Sequence, residues 1–247
     1  MPPARSTPRA PYVQRAPVTL GTKVVEPTGV KLPFAKVAAT FDGAKFVLNG
    51  DGKGILDVAA QSGRPNRVEA ADAKSCHGAA GDSYLNNPRY VGIRDKGPIP
   101  EGVYEFRHSN MVTFTATDAA RMALATPGSY ADPSGLDLHG DWGSGRVALA
   151  PKHIVPSKFC GNTAARSGFY LHGGVMTGSS GCIDVGNSGI DEVVRLLMGY
   201  TKPVPVTVKY TAAAPGVGWL ERKAGEFMYP AKKDPSFFDR LGSLFGD

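Results

Sequence analysis

Residues 169–185 decide the fold: Phe169-Tyr170-Leu171-His172-Gly173-Gly174 is followed, after a glycine-containing loop, by Ser179-Ser180-Gly181-Cys182-Ile183-Asp184-Val185. Both pieces are short apolar runs of strand character, broken by glycine beside a residue with reactive chemistry. One strand delivers His172 and the second delivers Cys182. A thiol is a weak nucleophile until it loses its proton, and a neighbouring imidazole both removes that proton and stabilises the thiolate. Small residues ahead of the cysteine let backbone amides approach a reacting carbonyl, so the N–H groups of Gly181 and Cys182 are natural oxyanion donors. Taken singly, Cys182 reads as an ordinary buried cysteine and His172 as a satisfied strand histidine. Taken together, with glycines flanking both and a short loop between them, they read as a catalytic pair.

The surrounding pattern is of short strands. Val37 to Phe41 and Lys45 to Leu48 are followed by Asn49-Gly50 and a glycine-rich turn before Ile55 to Ala59, which predicts a hairpin with its left-handed residues at Asn-Gly. Residues 61–98 are polar and punctuated by Gly, Pro and Asn, too long for a plain connection, and read as a covering or functional loop. Gly97-Pro98-Ile99-Pro100-Glu101-Gly102 fixes a tight turn leading into a strand at Val103 to Arg107. A short helix at 117–125 and strands at Leu136 to Leu138 and Val147 to Leu149 follow. The clearest helix is 189–198, where Ile190, Val193, Val194 and Leu197 share a face, Ser188 with Asp191 resembles a capping box, and Gly199 ends it. Val204 to Tyr210 alternates like a strand. The expected class is mainly β, a curved sheet or sandwich with one or two short helices.

The ends differ in character. Residues 1–36 hold seven prolines and six Lys or Arg against the single acid Glu26, and read as an extended basic arm. Residues 37–211 carry the strand pattern of one domain, and 212–247 form a C-terminal tail that includes an amphipathic stretch at 237–245. The chain of 247 residues is 42% hydrophobic with a net charge of +6, which suits one core and attraction to anionic polymers but does not choose among them. No stretch is long and apolar enough to span a bilayer, so membrane insertion is not expected. The start, Met1-Pro2-Pro3-Ala4-Arg5, lacks the pattern of a secretory signal peptide, and synthesis in the cytoplasm without a Sec signal is expected. Cys76, Cys160 and Cys182 are an odd set without C-x-x-C spacing; Cys76 and Cys160 could pair in an oxidising compartment, and the sequence leaves this open. His77, His108 and His153 show no metal-ligand spacing, and Gly50, Asp51, Gly52 and Gly54 read as a turn rather than an ion loop. No metal or cofactor is called for.

With these residues in place, the chain resembles the L,D-transpeptidases with a YkuD-type catalytic domain. Their signature is a strand ending in His-Gly, a loop, then Ser/Thr-His-Gly-Cys and an apolar residue; His172-Gly173 and Ser179-Ser180-Gly181-Cys182-Ile183 match it. The resemblance extends to the hairpin at 45–59, to the turn and strand at Gly97 to Tyr104, and through the helix and strand to Tyr210. It implies a YkuD-like fold, Cys182 as nucleophile, His172 as base, the Gly173 carbonyl as the group orienting the imidazole, and Gly181 in the oxyanion hole. Ser179, Ser180 and Gly174 would border the substrate. His139, in Leu138-His139-Gly140-Asp141-Trp142-Gly143, is a further candidate, because His and Trp between glycines suit a pocket wall.

Ser180 replaces the usual histidine before Gly-Cys, Asp184 replaces a common arginine, and the loop from His172 is short. These departures, with the Gly-Pro-Ile-Pro-Glu-Gly turn, look more like the antibacterial effectors of type VI secretion systems. The resemblance then implies an L,D-carboxypeptidase, or an enzyme exchanging terminal D-amino acids, acting on peptidoglycan tetrapeptide stems in the periplasm of a target bacterium. An immunity protein and a secretion-apparatus component would be partners, and nucleic acid would not. The alternatives are a non-catalytic wall-binding module that keeps the fold, a cross-linking L,D-transpeptidase, and a sortase-like enzyme.

Overall fold

The structure is a computed structural model in which residues 22–23, 34–79, 81–115, 142–174 and 178–211 are described. The expected helix at 117–125, the strand at Leu136 to Leu138, His139 and the stretch at 237–245 lie outside these residues.

Two β-sheets enclose one core, as the strand pattern predicts. The larger sheet begins with β2 (Val37–Phe41), β3 (Lys45–Gly50) and β4 (Lys53–Ala59). It is completed by β5 (Gly102–Phe106), β8 (Ala150–Ile154) and β11 (Val204–Val208), in the order β4-β3-β2-β11-β5-β8. β2 alternates strictly, with Val37, Ala39 and Phe41 inward, and β11 does the same with Val204, Val206 and Val208. This two-residue period is what a sheet with one buried face requires.

The smaller sheet comprises β1 (Thr22–Lys23), β6 (Val112–Thr113), β7 (Gly145–Ala148), β9 (Tyr170–His172) and β10 (Ile183–Asp184), in the order β1-β6-β7-β9-β10. Val147, Leu171 and Ile183 point from it into the core, where they join Phe41, Phe46, Leu48, Tyr104 and Val206 of the larger sheet. Each such side chain contributes roughly 1.5–3 kcal/mol of burial. Thr22 and Lys23 pair antiparallel with Thr113 and Val112, so part of the basic arm is a sheet edge.

Two expectations need correction. The main helix, α2 (Gly186–Leu196; α1 is Ala70–Ser75), starts three residues before the expected position. Ser188 is inside it and exposed, and the N-cap residue is Val185, whose side chain cannot cap. Asp191 instead accepts from Ser144 Oγ at 2.6 Å, and the Gly186 N–H donates to Asp184 at 2.9 Å. The capping-box pattern was therefore a tertiary contact. Of the expected apolar face, Ile190, Val193 and Leu197 are fully buried and Val194 partly, and Gly199 follows in a left-handed conformation (φ 83°).

In the β3–β4 hairpin, Asn49 and Gly50 belong to the strand, and the turn falls on Asp51 and Gly52 (φ 50° and 80°). Asp51 can take this conformation because aspartate tolerates the left-handed region, and its carboxylate accepts from the amides of Ala35 and Lys36 at 3.1 and 2.8 Å. Gly50 is needed for another reason: a β-carbon there would run into the ring of Phe34.

Residues 61–98 are not a bare loop. Val68, Ala73, Cys76, Tyr84 and Tyr90 form a second small core, closed by a disulfide between Cys76 and Cys160. Cys182 is the free cysteine.

Candidate active site

The site is assembled by pairing β9 with β10. These strands run parallel, with Ile183 opposite Leu171 and Asp184 opposite His172. Because side chains alternate, Leu171 and Ile183 enter the core while His172 takes the outer face together with Tyr170, and Cys182, two residues before Asp184, falls on that face too. On the other side of β9, Arg146 of β7 pairs with His172, so Asp184, His172 and Arg146 form a row across three strands. The chain leaving β9 is held by Gly173 N–H to the Gly145 carbonyl at 3.1 Å, and Val185 N–H donates to the His172 carbonyl at 3.0 Å.

Cys182 and His172 are both buried, at 8% and 4% exposure, so neither is a surface group exchanging freely with bulk water. Trp142 joins them: it packs in one cluster with Cys182, and its ring meets that of His172 edge to face at 5.2 Å. His172 Nδ1 is hydrogen-bonded to the Gly173 carbonyl. A carbonyl only accepts, so Nδ1 carries the hydrogen and the neutral ring has its basic lone pair on Nε2.

The turn before Cys182 is fixed from two sides. Ser179 Oγ donates to the Cys182 carbonyl at 2.6 Å, and the Gly181 N–H reaches Ser179 Oγ at 3.4 Å. Ser180 is exposed, and its hydroxyl accepts from Nε and Nη2 of Arg64, both at 3.2 Å. Gly181 has φ 115°, and a β-carbon on it would overlap the guanidinium of Arg166. Gly174 is buried, and Gly143 packs so tightly on its amide that a β-carbon there would clash with it.

Arg166 has no counterpart in the sequence reading. It is 6% exposed and donates to the carbonyls of Val91 (2.6 Å), Pro98 (2.5 Å), Gly97 (3.0 Å) and Ser180 (3.4 Å). Burial lowers its pKa, and the neighbouring Tyr210, Tyr104, Asp95 and Cys182 act in the opposite direction, favouring the cation. The Gly97–Gly102 turn is otherwise locked by Tyr104 Oη on the Pro100 carbonyl, Tyr210 Oη on the Ile99 carbonyl, and the Ile99 N–H on Ser62 Oγ, each at 2.8 Å. No charge pattern in the sequence marks a lone arginine as a ligand of four carbonyls, and only tertiary structure reveals it.

Among the described residues no group of three or more His, Cys, Asp or Glu side chains could hold a metal ion, and no helix is long and apolar enough to cross a membrane.

Comparison with known proteins gives one match over sequence and several over structure. Residues 77–203 match the family model of the Tlde1 domain. No curated protein matches the chain. Similar solved structures include L,D-transpeptidase 1 of Mycobacterium tuberculosis, at 14% identity over 70% of this chain and 62% of that one, with a TM-score of 0.33. An L,D-transpeptidase of Xylanimonas cellulosilytica is 14% identical over 74% and 63%, with a TM-score of 0.32. One from Mycobacterium smegmatis is 15% identical over 70% and 58%, with a TM-score of 0.31. The aligned part of this chain therefore spans less than two thirds of the length of each.

Proposed function

The chain belongs to the Tlde1-domain family, a type VI effector family, and from that premise we propose that it is a cysteine enzyme trimming or exchanging the end of peptidoglycan stem peptides. The observation that carries the reading is the parallel pairing of β9 with β10, which puts His172 and Cys182 on one sheet face with Trp142 against both.

In the proposed cycle, His172 Nε2 takes the Cys182 proton while Nδ1–H stays on the Gly173 carbonyl. The thiolate attacks the carbonyl carbon joining the diamino acid to the terminal D-alanine. The amides of Gly181 and Cys182 receive the oxyanion, the Gly181 N–H turning from Ser179 Oγ, which it meets at only 3.4 Å. The C–N bond breaks, the imidazolium protonates the departing amine, and a thioester remains on Cys182. Water then gives the tripeptide, or the amine of a free D-amino acid restores a tetrapeptide, and the thiol is regenerated in both cases. Ser180 with Arg64, and Gly174, border the path of the peptide.

Action in the periplasm of a target bacterium fits the Cys76–Cys160 disulfide, which persists where conditions are oxidising. An immunity protein in the producer and a carrier in the secretion apparatus belong to the same proposal.

The test is mass spectrometry of tetrapeptide muropeptides incubated with pure protein, with and without D-methionine. Tripeptide or D-methionine-exchanged tetrapeptide, both abolished in Cys182→Ala, is expected. Unchanged tetrapeptide combined with sacculus binding that survives Cys182→Ala would replace the enzyme reading with a wall-binding module.

A further inference from the structure

We propose that Arg146 is the recognition residue for the terminal carboxylate of the leaving D-amino acid, and equally for that of the D-amino acid that enters by exchange. This inference rests on the stem-peptide reading above.

Arg146 is half-buried on β7, directly opposite His172. Its guanidinium lies 4.5 Å from the ring centroid of Trp142, 5.2 Å from that of Tyr170 and 5.8 Å from that of Phe114. Those contacts use the faces of the rings and hold the cation in place through their quadrupoles. Among the described residues the in-plane N–H donors of the guanidinium have no partner, and these are the groups that grip a carboxylate in a two-pronged geometry. Among the described residues no carboxylate pairs with Arg146; the ion pairs present involve other cations. Beside it, the indole Nε1 of Trp142 is buried and, among the described residues, has no hydrogen-bond partner. An orphaned donor at a buried position calls for a ligand or water. A stacked cation and an N–H without a partner among the described residues, in one aromatic cluster with Cys182 and His172, mark a candidate anion site beside both.

The direction of the reaction selects the anion. His172 must return its proton to the departing nitrogen, so the leaving group lies on the His172 side of the scissile bond. Along the row Asp184, His172, Arg146, the strand beyond His172 carries Arg146. Adjacent strands are separated by about 4.8 Å, and the carboxylate of a departing amino acid is two bonds beyond its nitrogen. The terminal carboxylate therefore falls toward Arg146, whereas the rest of the stem extends to the Cys182 side. By microscopic reversibility an incoming D-amino acid uses the same anchor, while water needs none. Arg146 thus sets the balance between exchange and hydrolysis.

The experiment compares wild type, Arg146→Gln and Arg146→Lys on three substrates: the tetrapeptide acid, its C-terminal amide, and the tetrapeptide amidated on the diamino acid side chain. Wild type is expected to favour the acid over the C-terminal amide by roughly tenfold or more in kcat/KM, the scale of a charge-assisted contact. Arg146→Gln should lose that preference, raise KM for the acid, and shift products from exchange toward hydrolysis, with Arg146→Lys intermediate. An undiminished preference for the acid in Arg146→Gln overturns the proposal, and so does a loss of discrimination confined to the side-chain amide. A calorimetric arm uses Cys182→Ala with the tetrapeptide acid, alone and combined with Arg146→Gln. Weaker binding in the double variant, without turnover by wild type, retains the carboxylate site and removes the reaction reading. Turnover by wild type with equal binding by both variants does the reverse.

Discussion

The guanidinium of Arg166 and the carbonyl of Ser180 are 3.4 Å apart, which links a buried cation to the turn that presents Cys182. The same guanidinium holds Val91, Gly97 and Pro98, so it joins the covering segment, the proline turn and the site in one node. Arg166→Met fills the volume but leaves these carbonyls without a donor. A stability loss of about 3 kcal/mol is expected from the urea midpoint, with a fall in kcat. Arg166→Lys should not rescue either quantity, since one ammonium cannot span the set of carbonyls.

Gly181→Ala tests the same node from the other side. The backbone at φ 115° disfavours any β-carbon, and the added methyl collides with Arg166. Turnover should fall about a hundredfold or more, on the order of the cost of losing an oxyanion donor, while circular dichroism stays that of a folded protein.

The disulfide closes a loop of 84 residues in sequence separation. On the chain-entropy account, such a cross-link contributes about 4.5 kcal/mol. The double variant Cys76→Ser, Cys160→Ser should lose most of this in oxidising buffer, and wild type should lose the same on adding reductant, whereas the variant should not respond to it. Thermal denaturation with and without reductant checks both.

Acid should loosen the segment around α1. Burial tends to raise the Asp72 pKa, but hydrogen bonds from Tyr84 Oη at 2.5 Å and Lys96 Nζ at 3.1 Å outweigh it and hold the carboxyl below its ordinary range. A carboxylate with a lowered folded-state pKa stabilises above its unfolded value and loses that contribution as pH falls through the folded one. Below about pH 4 the Tm of wild type should drop more steeply than that of Asp72→Asn, measured as a pH series.

Much of this is legible in the sequence. The alternation in 37–41 and 204–208 marks strands with one wet face, and Ile190, Val193 and Leu197 mark the buried face of a helix, because burial imposes its period on the sequence. That His172 and Cys182 arrive on neighbouring strands beside Trp142 follows from one short segment that holds both. The helix start was not legible, since Ser188 and Asp191 satisfy a local pattern while the real bond of Asp191 goes to Ser144, far away in sequence. Arg146 and Arg166 were invisible for the same reason: nothing near them in the chain distinguishes an arginine stacked on rings, or buried under carbonyls, from one in water. Composition likewise left the pairing of Cys76 and Cys160 open, because a disulfide depends on distance in space.

The hydrogen bond from Val37 N–H to Tyr200 Oη joins residues 163 positions apart, and beside it β2 pairs in parallel with β11. Contacts of such sequence separation form late and slowly, because chain closure must come before they reward it. His172 and Cys182, by contrast, lie within a stretch short enough to close in well under a microsecond. The two residues of the candidate site are therefore close in the chain, while the sheet that carries them is joined to one built from distant segments. A ribosome or translocation channel that still holds residues 204–208 keeps the larger sheet in two halves, and these halves join only when β11 is released.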